Sequence, residues 1–395
     1  MDTSFGIQQK GKRNLITDVA GITVGHCTLA DGDVQTGVTA LLPHQGDLFH
    51  DRCPAAVHVI NGFGKSAGLV QVQELGYLET PLILTNTLSV GTAFTACVRY
   101  MLARNDQIGR AESTVNPVIL ECNDGYLNDI RGLHVTEDHV FAALDAADTT
   151  FALGAVGAGR GMSCYHLKGG IGSASRVFEI GGQTYTLGAL AMTNFGSLID
   201  LTIAGERIGK KLAAEPEDAK GSCIMVLATD APLSSRQLSR VARRAQSGLA
   251  RTGAVTEHGS GEIVLAFSTA NRIQAGQIFH SGVYLNDEAF RPIFRAATET
   301  VEESIIRSML EAETVTGRDG HIRLSLHDAM ERAGLHRSSL HQQKRSRCIC
   351  SGSALICRRL RTAGRSAVRP APPRSARWGR SQRRRRRRCS CPPRG

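Results

Sequence analysis

Two sets of residues in this chain have the types and spacing to do chemistry. The more conspicuous is Gly64-Lys65-Ser66-Ala67-Gly68, a G-x-S-x-G pattern between a strand-like and a helical stretch, the setting in which a nucleophile elbow presents a serine hydroxyl. An elbow of that kind needs an acid and a late histidine. His321, His327 and His336 are available, but no acid is marked out as their partner, so the stretch reads as a glycine-rich strand-to-helix turn. Gly64-Lys65-Ser66 also matches the end of a P-loop. Val59 stands where that loop requires its first glycine, which excludes a phosphate cradle.

The second set is dispersed: Gly221-Ser222, Gly259-Ser260-Gly261-Glu262, Asn194 and Asn123-Asp124-Gly125-Tyr126. Each falls at the end of an expected strand or in a turn beside one. Taken singly, each is an ordinary turn or strand-opening signal. Cysteine offers no alternative chemistry. Cys27, Cys53, Cys97, Cys122, Cys164 and Cys223 form no C-x-x-C pair, and most sit in apolar runs as core thiols, while Cys348-Ile349-Cys350 and Cys389-Ser390-Cys391 are too tightly spaced for a zinc knuckle.

These residues are spread over a chain of 395, long enough for a large core, with 42 glycines and few aromatics, a composition of turns and close backbone approaches rather than a helical bundle. Nearly continuous apolar runs predict strands buried on both faces at 55–60, 81–84, 117–120, 185–192, 223–229 and 262–268. Helical patterns at 90–104, 136–147, 235–250 and 286–313 alternate with them, which predicts an α/β chain of layered sheets covered by helices. Two stretches break the pattern: 154–175, with seven glycines around Arg160, His166 and Lys168, and the polar 213–221, AAEPEDAKG, expected to be exposed directly before the strand that opens at Ser222.

Net charge is +11, and it misleads until it is located. Residues 338–395 carry 18 Lys and Arg and no acid, leaving 29 basic against 36 acidic residues, a net charge of −7, in 1–337. This tail includes six consecutive arginines at 383–388, has no structural period and cannot bury a core. It reads as an out-of-frame or non-native extension; its polyarginine would bind nucleic acid only non-specifically, because the acidic body offers no basic, aromatic surface. With no h-region before Asp18 and no run of 18 apolar residues, a soluble cytoplasmic protein is expected.

The stretch GSCIMVLATDAPLSSRQLSRVARRAQSGLARTG, followed by GSGEIVLAFSTAN, resembles the β-chain start of the L-aminopeptidase D-esterase/amidase family, whose relatives include β-peptidyl aminopeptidases. ITDVAGITVGH, NDGYLNDIRG, KGGIGSASR and MTNFG extend the resemblance over roughly 10–337. It implies a four-layered αββα sandwich like that of N-terminal nucleophile hydrolases with different connectivity, made of an α-chain part (1–221) and a β-chain part (222–337) of one catalytic domain, usually assembled as a homotetramer. It also implies autocleavage at Gly221-Ser222, Ser222 as nucleophile, Ser260 and Glu262 as its supporting pair, and Asn194 and Tyr126 as oxyanion stabilisers. Substrates would be short peptides, amides or esters, with no metal or organic cofactor.

The residue types suit that work. Cleavage would give Ser222 an α-amine of pKa about 7.7–8.0, a base within reach of its own hydroxyl. Glu121 or Asp124, near Tyr126, is the candidate partner for a substrate ammonium. An ornithine-acetyltransferase-like acyltransferase is the alternative enzyme, but it uses threonine at the nucleophile position where this chain has Ser222.

Overall fold

A strand buried on both faces carries two apolar sets, one from odd and one from even positions, and each set needs its own partner layer. The computed structural model, which describes residues 5–212, 221–279 and 281–335, supplies both partners. The first sheet contains β1 (Thr23–Asp31), β2 (Val34–Leu42), β4 (Leu82–Asn86) and β5 (Val118–Cys122), in the order β1-β2-β4-β5. The second contains β3 (Asp51–Gly62), β6 (Gly170–Ile180), β7 (Gln183–Asn194), β8 (Gly221–Thr229) and β9 (Ser260–Ser268), in the order β3-β9-β8-β7-β6, with two short strands added at the β3 side.

The two faces of β8 and β9 show the division of labour. Ile224, Val226, Ala228, Ile263, Leu265 and Phe267 meet Leu41, Leu84, Val118 and Leu120 of the first sheet in a core between the sheets. Cys223, Met225, Leu227, Val264 and Ala266 face the other way, onto α3 (Ser235–Ala242), α4 (Ala245–Arg251) and α5 (Arg291–Leu310). The outer face of the first sheet is covered by α1 (Val90–Leu102) and α2 (Glu137–Asp145). Helix, sheet, sheet, helix is the four-layered αββα sandwich expected.

All six apolar runs coincide with strands and the four helical patterns with helices, except that 235–250 is divided into α3 and α4. The glycine-rich stretch corrects one expectation: residues 170–175 are the first half of β6. Its glycines serve packing, since α5 lies so close that a Cβ on Gly172 would overlap the Ser304 carbonyl oxygen. β1 and β2 also escaped the sequence reading, because histidine, glycine, threonine and glutamine interrupt their apolar pattern. The 213–220 stretch and the 338–395 tail lie outside the described residues. Among the described residues no helix is long and apolar enough to cross a membrane.

One buried ionic cluster ties the N-terminal segment, β6 and α5 together. Arg176, fully buried on β6, donates from Nε to Glu299 (3.1 Å) and from Nη2 to Glu303 (2.7 Å), both on α5. Glu303 also accepts from Lys10 (2.6 Å) and Asn14 (2.8 Å), and Glu299 from the backbone N–H groups of Ile7 and Gln8. Burial pushes the Glu303 carboxyl up, but the charges of Arg176 and Lys10 outweigh it and hold the group below its ordinary value. Removing the buried cation leaves two buried carboxylates with only the partly exposed Lys10 and Arg295 as counter-charge. Arg176→Met is therefore expected to destabilise the fold by about 3–5 kcal/mol, read as a lowered urea midpoint.

Candidate active site

Strand pairing at one edge of the second sheet gathers the dispersed residues. Because β8 and β9 are joined by the helical crossover α3–α4, they run parallel and both begin at the same edge, Gly221 opposite Ser260 and Ser222 opposite Gly261. β7 runs antiparallel to β8 and ends there, with Asn194 opposite Ser222. On the far side β3 also ends there, with Asn61 opposite Glu262 and an extra residue, Ile60, bulged out of register. The Asn61 amide donates to the carbonyls of Glu257 (3.0 Å), His258 (3.2 Å) and Ser260, pinning the turn that leads into β9.

Ser222 lies in the wall of a cavity of about 990 Å³ lined also by Asn194, Tyr126, Glu121, Gly221, Lys65, Ser163, His258 and Arg323. Phe63, Ile130 and Phe195 contribute apolar wall. Gly221 sits at φ 152°, in the glycine region, and a Cβ there would overlap the carbonyl oxygen of Asn194, so this position tolerates nothing larger. Asn194 is held from both ends of its amide: Oδ1 accepts from the Ser163 N–H (2.8 Å) and Nδ2 donates to the Asn123 carbonyl (2.9 Å). That assigns the amide orientation and leaves Nδ2 a second proton to donate. Ser163 is itself placed by Lys168, whose buried ammonium donates to the carbonyls of Gly159 (2.9 Å), Met162 (2.8 Å) and Gly169 (2.7 Å); burial drives the lysine's pKa well down.

Ser260 and Glu262 lie behind Ser222. Both are buried, and the Ser260 hydroxyl donates to Glu262 Oε1. They line a second cavity, of about 10 Å³, that shares Phe195, Gly196 and Glu257 with the first. Burial pushes the Glu262 carboxyl above its ordinary value against the opposing hydrogen bond from Ser260.

The two acids considered for a substrate ammonium separate. Glu121, at the end of β5, lines the main cavity, accepting from the Lys65 N–H (2.6 Å) and the Thr87 hydroxyl. Asp124 is a correction: it is 1% exposed and does not line that cavity. It accepts from the Thr36 hydroxyl (2.6 Å) and the Asn128 amide (3.0 Å), burial raising its pKa to about 7, so it braces the turn. Tyr126 reaches the cavity from that turn.

Ser66 is no elbow nucleophile. Its hydroxyl is buried without a hydrogen-bond partner among the described residues, and Gly68 at φ 80° turns the chain into a short helix. What this stretch gives the site is the Lys65 N–H that holds Glu121. Sequence reasoning missed Asn61, Ser163, Lys168 as a strut, and Arg323. Asn61 just before Gly62 was a readable strand-end signal; Ser163 acts through its backbone N–H, which leaves no trace in residue type.

A four-layered αββα sandwich with its main cavity at the strand heads of one sheet defines the class, a hydrolase with a variant of the N-terminal nucleophile fold. Comparison with known proteins agrees: residues 14–323 match peptidase family S58, and the chain belongs to that family. A β-peptidyl aminopeptidase of Sphingosinicella microcystinivorans is 39% identical over 79% of this chain and 85% of its own length. A solved protein from Pyrococcus horikoshii OT3 is 51% identical over 84% of this chain and 96% of its own, with TM-score 0.81. The L-aminopeptidase D-Ala-esterase/amidase of Ochrobactrum anthropi, whose structure is described as a variant among the Ntn-hydrolase fold, is 36% identical over 83% of this chain and 96% of its own, with TM-score 0.76.

If the ionised form of Glu262 is needed in turnover, rate is lost as pH falls through its raised pKa, so Glu262 adds to the acid side of the kcat/KM profile a titration above the ordinary glutamate range. Glu262→Gln is expected to lower kcat by about 10²-fold or more and to remove that one titration while leaving the acid limb of any other base, as a pH–rate profile of the purified variant will show.

Proposed function

We propose that this chain is a self-processing aminopeptidase: the Gly221-Ser222 bond breaks, and Ser222, as the new N-terminus, attacks the first amide or ester carbonyl of a short peptide, amide or ester. The observation that carries the reading is the pairing of Asn194, Ser222 and Gly261 across three adjacent strands: Ser222 and the oriented Asn194 amide share the wall of the main cavity, and the Ser260–Glu262 pair flanks Gly261 at the head of the neighbouring strand.

Processing and turnover use the same atoms. In the uncut chain the Ser222 hydroxyl attacks the Gly221 carbonyl, the acyl group shifts from nitrogen to oxygen, and water hydrolyses the ester. Gly221 takes a backbone conformation few other residues adopt and is packed against the Asn194 carbonyl oxygen, which fixes the backbone at the bond to be broken. The freed α-amine, with a pKa of about 7.7–8.0, takes the hydroxyl proton in the next attack and returns it to the leaving amine. Ser260, polarised by Glu262, orients that exchange. The remaining Asn194 Nδ2 proton and the Tyr126 hydroxyl stabilise the oxyanion. Glu121 holds the substrate ammonium: each carboxylate oxygen has accepted one hydrogen bond and retains a further lone pair. No step calls on a metal. The relatives support substrates among L-residue amides, D-residue esters and β-peptides, and the family resemblance supports a tetramer.

Mature protein is expected to contain two chains, one beginning Ser222-Cys223-Ile224-Met225, by intact mass and N-terminal sequencing. Ser222→Ala is expected to stay whole and inactive; full activity from an uncut wild-type chain overturns the proposal. Asn194→Ala should lower kcat by about 10²–10³-fold, equivalent to about 2.7–4 kcal/mol in the barrier, with a smaller change in KM.

A further inference from the structure

Tyr126 is 39% exposed, on a turn, and an exposed tyrosine ring ordinarily samples several rotamers. An oxyanion donor that wanders is a poor one, because the benefit of such a donor is that it is already in place. The hairpin after α5, whose strands are Val315–Thr316 and Ile322–Arg323, removes that freedom.

It does so twice over. Three successive carbonyls of the turn accept hydrogen bonds from it: Gly125 from Arg318 Nε (3.2 Å), Tyr126 from His321 Nδ1 (2.8 Å) and Leu127 from the Arg318 N–H (2.7 Å). The phenol ring is then gripped through its faces. His321 stacks on it with centroids 4.6 Å apart and planes 10° from parallel, and Arg323 lies with Cζ 3.6 Å from the ring centroid. Two planar groups at those separations cannot share one face, so the ring is sandwiched between imidazole and guanidinium. Arg323 is in turn tethered by Nε to the Ser163 hydroxyl (3.2 Å), on the residue whose N–H orients Asn194. Gly317 lets the hairpin approach, since a Cβ there would overlap the Leu127 carbonyl oxygen.

We infer that the hairpin Val315–Arg323 is a clamp for the oxyanion site, with His321 and Arg323 as positioning residues that fix the Tyr126 hydroxyl and, through Ser163, link it to the Asn194 amide. The inference rests on the reading of Tyr126 as an oxyanion donor. It makes a hairpin that follows α5 a working part of the site, although this segment carries none of the reacting groups.

The test is a double-mutant cycle on the processed enzyme, with kcat and KM measured for an aminoacyl p-nitroanilide. Arg323→Met is expected to lower kcat by about ten- to a hundredfold with little change in KM, and to have almost no further effect in a Tyr126→Phe background. Arg323→Lys, which keeps the charge but loses the plane and the Nε tether, should fall between Met and wild type. Gly317→Ala, outside the cavity lining, should reproduce the kcat loss by pushing the hairpin off the turn, again only when Tyr126 is present. Equal losses in the wild-type and Tyr126→Phe backgrounds, or a loss in KM alone, overturn the clamp and leave Tyr126 as donor. Wild-type kcat in Tyr126→Phe overturns the donor reading itself, and the inference with it.

Discussion

The parallel pairing of β8 with β9 is the constraint on which the rest of the site depends. Two strands that run parallel must be joined by a crossover, and the crossover returns the chain to the edge from which it started. That is why the Gly221-Ser222 dipeptide and the Ser260-Gly261-Glu262 tripeptide, far apart in the chain, open their strands side by side. Antiparallel β7 then has to finish where β8 begins, which delivers Asn194. A slip of one residue in either register would turn Ser222 or Asn194 to the opposite face. The apolar alternation along β8 and β9, one set toward the first sheet and the other toward α3–α5, is what forbids the slip. Site geometry is therefore enforced by the two hydrophobic cores rather than by the polar contacts at the edge.

That dependence explains what could be read from the sequence. The strands that position the site are continuous apolar runs, so their type and approximate limits were legible, and so was the placing of Ser222, Ser260, Glu262 and Asn194 at strand ends. Their convergence was not legible from periodicity, because strand order in a sheet is a long-range property; it came from resemblance. β6 was missed for the opposite reason. Its glycines, which in isolation signal a loop, are there because α5 packs backbone to backbone against the strand. β1 and β2 carry Gly25 and Gly37 among mixed polar residues, so no period-2 signal survives.

Glycine has a second use at the cavity edge. Gly172 brings a helix onto the sheet, whereas Gly221 brings one strand end against the Asn194 carbonyl with its backbone in a conformation few other residues adopt. The first serves the packing of a helix on a sheet, the second the close approach of two strand ends. The glycine richness of the sequence thus combines two kinds of close approach, helix on sheet and strand end on strand end, that composition alone could not separate.

The contrast between Glu121 and Asp124 shows how finely the edge sorts charge. Both acids lie where β5 ends, and both are almost wholly buried. Glu121 is the penultimate residue of the strand and lines the main cavity, where it accepts from a backbone N–H and a hydroxyl. Asp124, beyond the strand, has entered the turn and points to Thr36 and Asn128 instead. Burial raises its pKa to about 7 and it does not reach the main cavity, so its service is to hold the turn that carries Tyr126. Side-chain chemistry made the two interchangeable; the point at which the strand ends made one a wall of the site and the other a brace beneath it.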